Sequence, residues 1–140
     1  MSKAPTMLFY TWLALLRLFP PGFPGKARLA RLMLQPHLGS RDVYVPTGQG
    51  RNLLVPGLRE PIGFYLATNG VYEPDTAAFL LNYLSPGMVF VDIGANIGVF
   101  TVLAARQVGP TGQVIAIEPS PRSFSYLKHT FRLIFCQMCF

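Results

Sequence analysis

The sequence predicts an α/β fold built on parallel strands, and three observations in its second half predict it. Two continuous apolar runs, residues 88–93 and 113–118, each carry a single acid, a pattern typical of strands buried on both faces of a parallel sheet. Between them, residues 97–107 are apolar at helical spacing and end at Gly109-Pro110. The order strand, helix, strand predicts two parallel strands joined by a right-handed helical crossover.

A helix is predicted on either side of this strand pair. Glu73-Pro74-Asp75 opens the first helix, with Asp75 as its N-cap, and Ser85-Pro86-Gly87 ends it. Ser120 is suited to the N-cap of the last helix and Pro121 to its first position. The predicted order of elements is therefore helix, strand, helix, strand, helix.

Charge is distributed unevenly along the 140 residues. Eight basic residues and one acid precede Glu60, whereas the sequence from Glu60 onward contains four basic residues and five acids. A hydrophobic content of 51% and a mean hydropathy of +0.36 exclude a disordered chain. The basic first part is suited to an anionic surface, although a solvated basic face explains it equally well.

The N-terminal region is predicted to be helical. Residues 7–16 are apolar throughout but too short to span a membrane, which leaves a helix docked on the domain, an interfacial anchor, or a weak signal segment. Residues 26–34 form a basic amphipathic helix with Leu29, Leu32 and Met33 on its apolar face. Residues 42–45 and 52–55 predict a small hairpin.

The first strand turns into its helix through a glycine-rich joint, Asp92-Ile-Gly-Ala-Asn-Ile-Gly98. Gly94 and Gly98 allow a sharp turn and a close approach by a ligand. Glu118 ends the next strand at the same sheet edge, where its two oxygens can accept from both hydroxyls of a ribose. Because Asn96 replaces the second glycine of a dinucleotide fingerprint, the joint argues against NAD and predicts another nucleoside.

The joint and its flanking blocks resemble the FkbM family of S-adenosylmethionine-dependent methyltransferases. The similar blocks are Gly-Val-Tyr-Glu-Pro from Gly70, Leu-Ser-Pro-Gly, Val-Asp-Ile-Gly-Ala-Asn-Ile-Gly-Val-Phe-Thr, Gly-Pro-Thr-Gly-Gln-Val and Ile-Glu-Pro-Ser-Pro. The resemblance implies a Rossmann-like class I methyltransferase fold with S-adenosyl-L-methionine as cofactor. It implies the following roles: Gly94, Asn96 and Gly98 line the methionine moiety, Asp92 lies beneath it, Glu118 binds the ribose and Glu73 helps to close the pocket.

After residue 133 the sequence departs from the family, whose fold would continue with further strands. We therefore expect an incomplete fold containing the first two parallel strands and their helices, and a truncated, inactive fragment. A frame change, an alternative exon or an unfinished gene model would each explain the tail. The expected segments are 1–40, apolar and basic helical; 41–69, hairpin and linker; 70–133, the N-terminal half of the methyltransferase domain; and 134–140, a divergent tail.

Two functions of different kinds remain open. One is O-methyl transfer to a hydroxyl of a sugar or small molecule, with the catalytic residues unknown. The other is a non-catalytic remnant that binds the cofactor or a membrane surface. No nucleic-acid partner is expected, and no metal, because Cys136 and Cys139 lack further ligands at suitable spacing. The expected location is cytoplasmic, with peripheral membrane contact through the N-terminal segment as one option.

Overall fold

The computed structural model describes residues 7–39, 42–48, 52–131 and 138–139, and the chain divides into two compact units. The N-terminal unit spans Met1–Tyr72 and the C-terminal unit spans Glu73–Phe140. This division is coarser than the expected segments, whose boundaries stay predictions.

The N-terminal unit combines three helices with a two-stranded hairpin. Its elements are α1 (Met7–Arg17), α2 (Lys26–Met33), a short 3-10 turn (Gln35–His37), β1 (Val43–Pro46), β2 (Asn52–Val55) and α3 (Pro61–Asn69). The antiparallel pairing of β1 with β2 confirms the predicted hairpin. Helix α3 was not predicted, since residues 41–69 were expected to contain only a hairpin and a linker. Pro61 at its first position and Gly70 at its end are ordinary helix signals within an apolar stretch that lacks a clear face.

Helix α1 packs within its own unit, which is consistent with the first of the three interpretations of residues 7–16, a docked helix. Phe9, Leu13 and Leu16 are buried, and α1 packs against α3. No helix in the described part of the chain is long and apolar enough to cross a membrane. Packing within the protein therefore explains the apolar residues on one face of α1, and no lipid surface is needed to explain them.

Arg17, at the end of α1, ties three segments of the N-terminal unit together. Its guanidinium donates to the carbonyl oxygens of Pro46 at 2.6 Å, Leu66 at 3.0 Å and Ala67 at 3.1 Å. Leu66 and Ala67 belong to the last turn of α3, where carbonyl oxygens favour a nearby cation, and the Leu66 carbonyl also accepts a bond from the Gly70 amide at 2.8 Å. The arginine therefore caps α3 and holds it beside β1.

The predicted apolar face of α2 is wrong. Leu32 is 65% exposed and Leu29 is 42% exposed, whereas Ala30 and Leu34 are buried and Lys26 is only 5% exposed. A lysine can be buried along its aliphatic stem when its ammonium finds acceptors. Hydrophobic spacing alone therefore identified the wrong side of this short helix.

The C-terminal unit is a parallel sheet with helical connections. Its elements are α4 (Pro74–Tyr83), β3 (Val89–Ile93), α5 (Val99–Val108), β4 (Gln113–Ile117), α6 (Pro121–Phe131) and β5 (Met138–Cys139). The strand order is β3-β4-β5, and both pairings are parallel. The predicted helix and strand order is confirmed. The count of two parallel strands was wrong, because β5 lies within the tail that was expected to diverge.

Of the two N-caps predicted in this unit, that of α6 is confirmed and that of α4 is wrong. Helix α6 begins at Pro121, and the Ser123 amide donates to the Ser120 hydroxyl at 3.3 Å, as the N-cap prediction required. Helix α4 begins at Pro74 with Glu73 as the capping residue, so the assignment of Asp75 as N-cap is wrong. Asp75 lies in the first turn, where an acid is stabilised by the helix dipole rather than by a capping bond.

The two faces of the sheet differ in burial. Val114 and Ala116 of β4 are buried, and α5 packs on β3 and β4. Every second side chain of β3 lies on the same face of the sheet. On one face these side chains are 61% exposed at Val89, 48% at Val91 and 79% at Ile93. The prediction that this strand is buried on both faces is therefore wrong, because β3 is the edge of the described sheet and lacks a layer over that side.

Candidate cofactor site at the carboxyl edge of the parallel sheet

The chain leaves β3 through a turn that needs left-handed backbone at three positions. The φ angles are 78° at Gly94, 50° at Asn96 and 90° at Gly98. Glycine adopts this region without strain and asparagine tolerates it better than most residues. The amides of Gly94 and Ala95 donate to the carbonyl of Ile117, at 2.8 and 3.1 Å, so the turn is tied to the end of β4. This places Glu118, the next residue, beside the turn.

Both carboxylate oxygens of Glu118 accept backbone hydrogen bonds. The Asn96 amide donates to Oε2 at 2.8 Å, and the Ser120 amide donates to Oε1 at 2.7 Å. Each carboxylate oxygen can accept more than one hydrogen bond, so acceptor capacity is left for a ligand. Glu118 therefore fixes the glycine-rich turn relative to the start of α6 and also presents acceptors at the sheet edge.

Asp92 lies in β3, before the turn, and is half-buried. Its Oδ2 accepts a hydrogen bond from the hydroxyl of Thr101, which is fully buried on α5. Burial raises the pKa of Asp92 and the negative charge of Glu118 raises it further, while the bond from Thr101 opposes the rise. Two carboxylates that repel one another in this way favour a cationic ligand group near them.

The glycines of the joint serve different purposes. A Cβ placed on Gly94 would have no atom within 4 Å, so this residue is required by its backbone angle and leaves open space above it. A Cβ on Gly98 would lie 2.8 Å from Cδ1 of Leu127, a fully buried side chain of α6. The structure thus gives Gly98 a packing role between α5 and α6. Its predicted contact with the methionine moiety stays a prediction.

Glu73 is placed differently from the other candidates. It is exposed at the start of α4 with φ 42°, and its carboxylate accepts a bond from the Thr76 hydroxyl at 3.1 Å. The structure brings together Asp92, Asn96 and Glu118, whereas the contribution of Glu73 to a pocket stays a prediction.

Two groups at the site were not singled out from the sequence. The Thr101 hydroxyl and the Ser120 amide hold Asp92 and Glu118, respectively. A threonine inside the apolar first half of α5 was the available signal for the first, whereas a backbone amide leaves no signal in the sequence.

The donors and acceptors of the site suit a nucleoside carrying a cationic group. Glu118 offers acceptors for vicinal hydroxyls, and Asp92 offers an anionic partner for an ammonium. The open space at Gly94 allows a ligand to approach the backbone closely. The described residues contain no cluster of three or more histidine, cysteine, aspartate or glutamate side chains that could hold a metal. Cys136 lies outside the described residues.

Comparisons with known proteins give a local sequence match and a fold match, while a scan of protein-family models finds no match. Over 62 residues the chain is 37% identical to a protein-L-isoaspartate O-methyltransferase of Triticum aestivum, covering 44% of this chain and 27% of that protein. A solved structure from Pyrococcus horikoshii, provisionally described as a transferase, has a TM-score of 0.54 and 17% identity. That alignment covers 82% of this chain and 46% of the solved one, and it concerns the fold alone.

Proposed function

We propose that the C-terminal unit carries the S-adenosyl-L-methionine pocket of an O-methyltransferase. A methyltransferase-like function is supported by the local similarity to an O-methyltransferase and by the α/β fold shared with a transferase. The single observation that carries the proposal is the Glu118 carboxylate, held by two backbone amides at the glycine-rich turn and close enough to Asp92 to raise its pKa.

In this proposal, three residues of the site contribute distinct interactions. Glu118 accepts from the ribose hydroxyls, Asp92 attracts the ammonium of the methionine moiety, and the bare backbone at Gly94 admits it closely. The cofactor supplies an electrophilic methyl group on a sulfonium. The contribution of the chain to the reaction is positioning, since holding two reactants in line removes much of the entropic barrier.

The finer assignments are also proposals. The motif blocks favour an FkbM-type protein with a Rossmann-like class I fold and, as acceptor, a hydroxyl of a sugar or another small molecule. The chain spans about a quarter of the curated relative and under half of the solved structure, so the acceptor site, the general base and the activity of this chain are all proposals here. We propose that this chain binds cofactor without turning it over.

A non-catalytic role at a membrane surface is the second candidate, and one observation favours it. Several large apolar side chains of the N-terminal unit are exposed, among them Leu8, Leu18 and Phe23. Arg17 and Lys26 are bonded within the unit, so attraction to anionic lipid would depend on exposed cations such as Arg28. We propose a cytoplasmic protein with this peripheral contact, and no nucleic-acid partner.

Calorimetric titration of the complete chain with S-adenosylhomocysteine tests the cofactor proposal. We expect saturable binding with one ligand per chain, and no methyl transfer from labelled S-adenosylmethionine to simple sugars. Absence of binding at millimolar ligand would overturn the pocket assignment. Binding to anionic vesicles without nucleoside binding would favour the membrane role.

A further inference from the structure

The N-terminal unit contains a cavity of about 330 Å³ that the methyltransferase proposal does not use. It lies between α2, the segment before α3, and α3 itself. Its lining residues are Pro21, Lys26, Ala27, Arg31, Leu58, Arg59, Pro61, Phe64, Tyr65, Thr68 and Asn69. A volume of this size is at the lower end of the range for small-molecule pockets. The cavity is therefore large enough for a small organic ligand.

Positive charge dominates the polar lining. Lys26, Arg31 and Arg59 contribute three cations, and none of the described residues that line the cavity is acidic. Converging cations with no acid in the same wall create a region of positive potential that favours an anion.

Each cation is held in place by the protein. The Lys26 ammonium donates to the Phe19 carbonyl at 2.7 Å and to Asn69 Oδ1 at 2.6 Å. The Arg31 guanidinium lies 5.1 Å from the centre of the Phe64 ring. Side chains fixed in this way lose little freedom when a ligand binds, which favours affinity.

Arg59 completes the set. Its Nε donates to the Leu38 carbonyl at 2.8 Å, which uses one of the five N–H donors of a guanidinium. Arginine donors match phosphate oxygens in pairs. The orientation imposed by Leu38 therefore leaves a donor-rich group at the cavity wall.

Burial makes the positive charge of Lys26 costly. Its side chain is 5% exposed, and burial followed by repulsion from Arg17 lowers the pKa of its ammonium. An anion in the cavity would offset this cost by adding a favourable charge interaction beside the buried ammonium. The groups in contact with the ammonium, a carbonyl and an amide oxygen, are both neutral.

We propose that this cavity binds a phosphate group borne by a small organic molecule, with Lys26, Arg31 and Arg59 contacting the phosphate. Three cations suit a group that carries nearly two negative charges at neutral pH better than they suit a single carboxylate. Phe64, Tyr65 and Leu58 give the remainder of the cavity an apolar wall for the organic part. A soluble phosphate monoester and the headgroup of phosphatidic acid share this chemistry.

Titration of the complete chain by calorimetry and NMR tests the proposal, with three probes. Inorganic phosphate and phenyl phosphate represent a soluble ligand, and dihexanoyl phosphatidic acid below its micelle concentration represents a lipid headgroup. Saturable binding of any of the three with shifts at Phe64 and Tyr65 supports the site, and the tightest probe identifies the source. No saturable binding of any probe at 10 mM, roughly the weak limit of a specific site, overturns it.

Matched arginine variants separate the cavity from general surface attraction. Arg31→Gln and Arg59→Gln remove cavity cations that lie at exposed positions, whereas Arg28→Gln removes an exposed cation of α2 that does not line the cavity. We expect the first two to weaken phosphate binding about tenfold or more and the third less than about twofold. Equal losses in all three variants would overturn the proposal. Thermal unfolding of each variant confirms that the N-terminal unit is folded.

Discussion

The backbone amide of Asn96 donates a 2.8 Å hydrogen bond to the carboxylate of Glu118, 22 residues further along the chain. Through this bond Glu118, which follows β4, fixes the turn that follows the neighbouring strand β3. Asn96 has φ 50°, so its left-handed backbone directs the amide toward the carboxylate. The turn and the acid are thus a single structural unit, and a ligand that contacts one is positioned by both.

The glycines of the turn should differ in their tolerance of a side chain. Gly98→Ala places a Cβ 2.8 Å from the buried Leu127 and adds left-handed strain, so we expect a loss of roughly 2–4 kcal/mol in the free energy of unfolding. Gly94→Ala meets no atom within 4 Å and should cost only about 1 kcal/mol, from the backbone strain. Urea unfolding followed by circular dichroism measures both. Equal losses would contradict the packing role of Gly98.

The distinct roles of these two glycines show what the sequence could and could not predict. Continuous apolar runs predicted β3 and β4, helical spacing predicted α5, and start signals at Ser120 and Pro121 predicted α6, all in the correct order. The joint was predictable because a strand end, glycines and an acid recur at fixed separations. Which glycine serves packing was not predictable, since it depends on Leu127, far along the chain.

Other elements escaped prediction for reasons of local context. Helix α3 has no strong apolar stripe. Because its start at Pro61 comes soon after the hairpin, the segment was predicted to be a linker. The apolar face of α2 was assigned wrongly because Lys26 is buried through bonds to Phe19 and Asn69, contacts that arise only in the tertiary structure. The sequence of β3 is typical of a strand buried on both faces, but in the described part of the chain only one face of this strand is covered.

Asp92→Asn should change the pH dependence of stability. The pKa of Asp92 is raised in the folded chain, chiefly by burial, so its contribution to stability is full below the ordinary aspartate pKa and is lost as pH rises through the raised value. The variant should therefore unfold at higher urea than the parent at pH 7, with the difference vanishing below about pH 3.5. Asp75→Asn, which removes an exposed acid from the first turn of α4, is the contrast and should lower stability slightly at pH 7. Destabilisation by Asp92→Asn at every pH would contradict this account.

Arg17→Lys should destabilise the N-terminal unit. Lysine keeps the charge but cannot reproduce the fork that donates to Pro46, Leu66 and Ala67, so we expect a loss of roughly 2 kcal/mol. The fluorescence of Trp12, the only tryptophan of the chain and located in α1, reports unfolding of this unit. Arg28→Lys, at an exposed position, should change stability by less than about 0.5 kcal/mol. Equal effects would show that the capping bonds do not stabilise α3.

Ile93→Ser should reduce self-association. Ile93 is 79% exposed on the uncovered side of β3, beside Val91 and the exposed Ile117, and such an apolar patch at a strand edge promotes aggregation. Because the side chain is largely in solvent, the loss of stability should be below about 1 kcal/mol. Sedimentation velocity across a concentration series measures the effect. Leu8→Ser, at another exposed apolar residue, serves as the control, and an equal change in both variants would argue against the sheet face.

The central claim, that Glu118 contacts the ribose of the cofactor, is tested most directly by a double-mutant cycle on binding. Calorimetry would compare S-adenosylhomocysteine with its 2′-deoxyribose analogue, for the parent chain and for Glu118→Ala, with Asp75→Asn as control. We predict that the parent and the control lose roughly tenfold or more in affinity with the deoxy analogue, and that Glu118→Ala binds both ligands equally weakly. If Glu118→Ala still distinguished the two ligands as the parent does, Glu118 would support the turn without touching the ribose, and the pocket assignment would be contradicted.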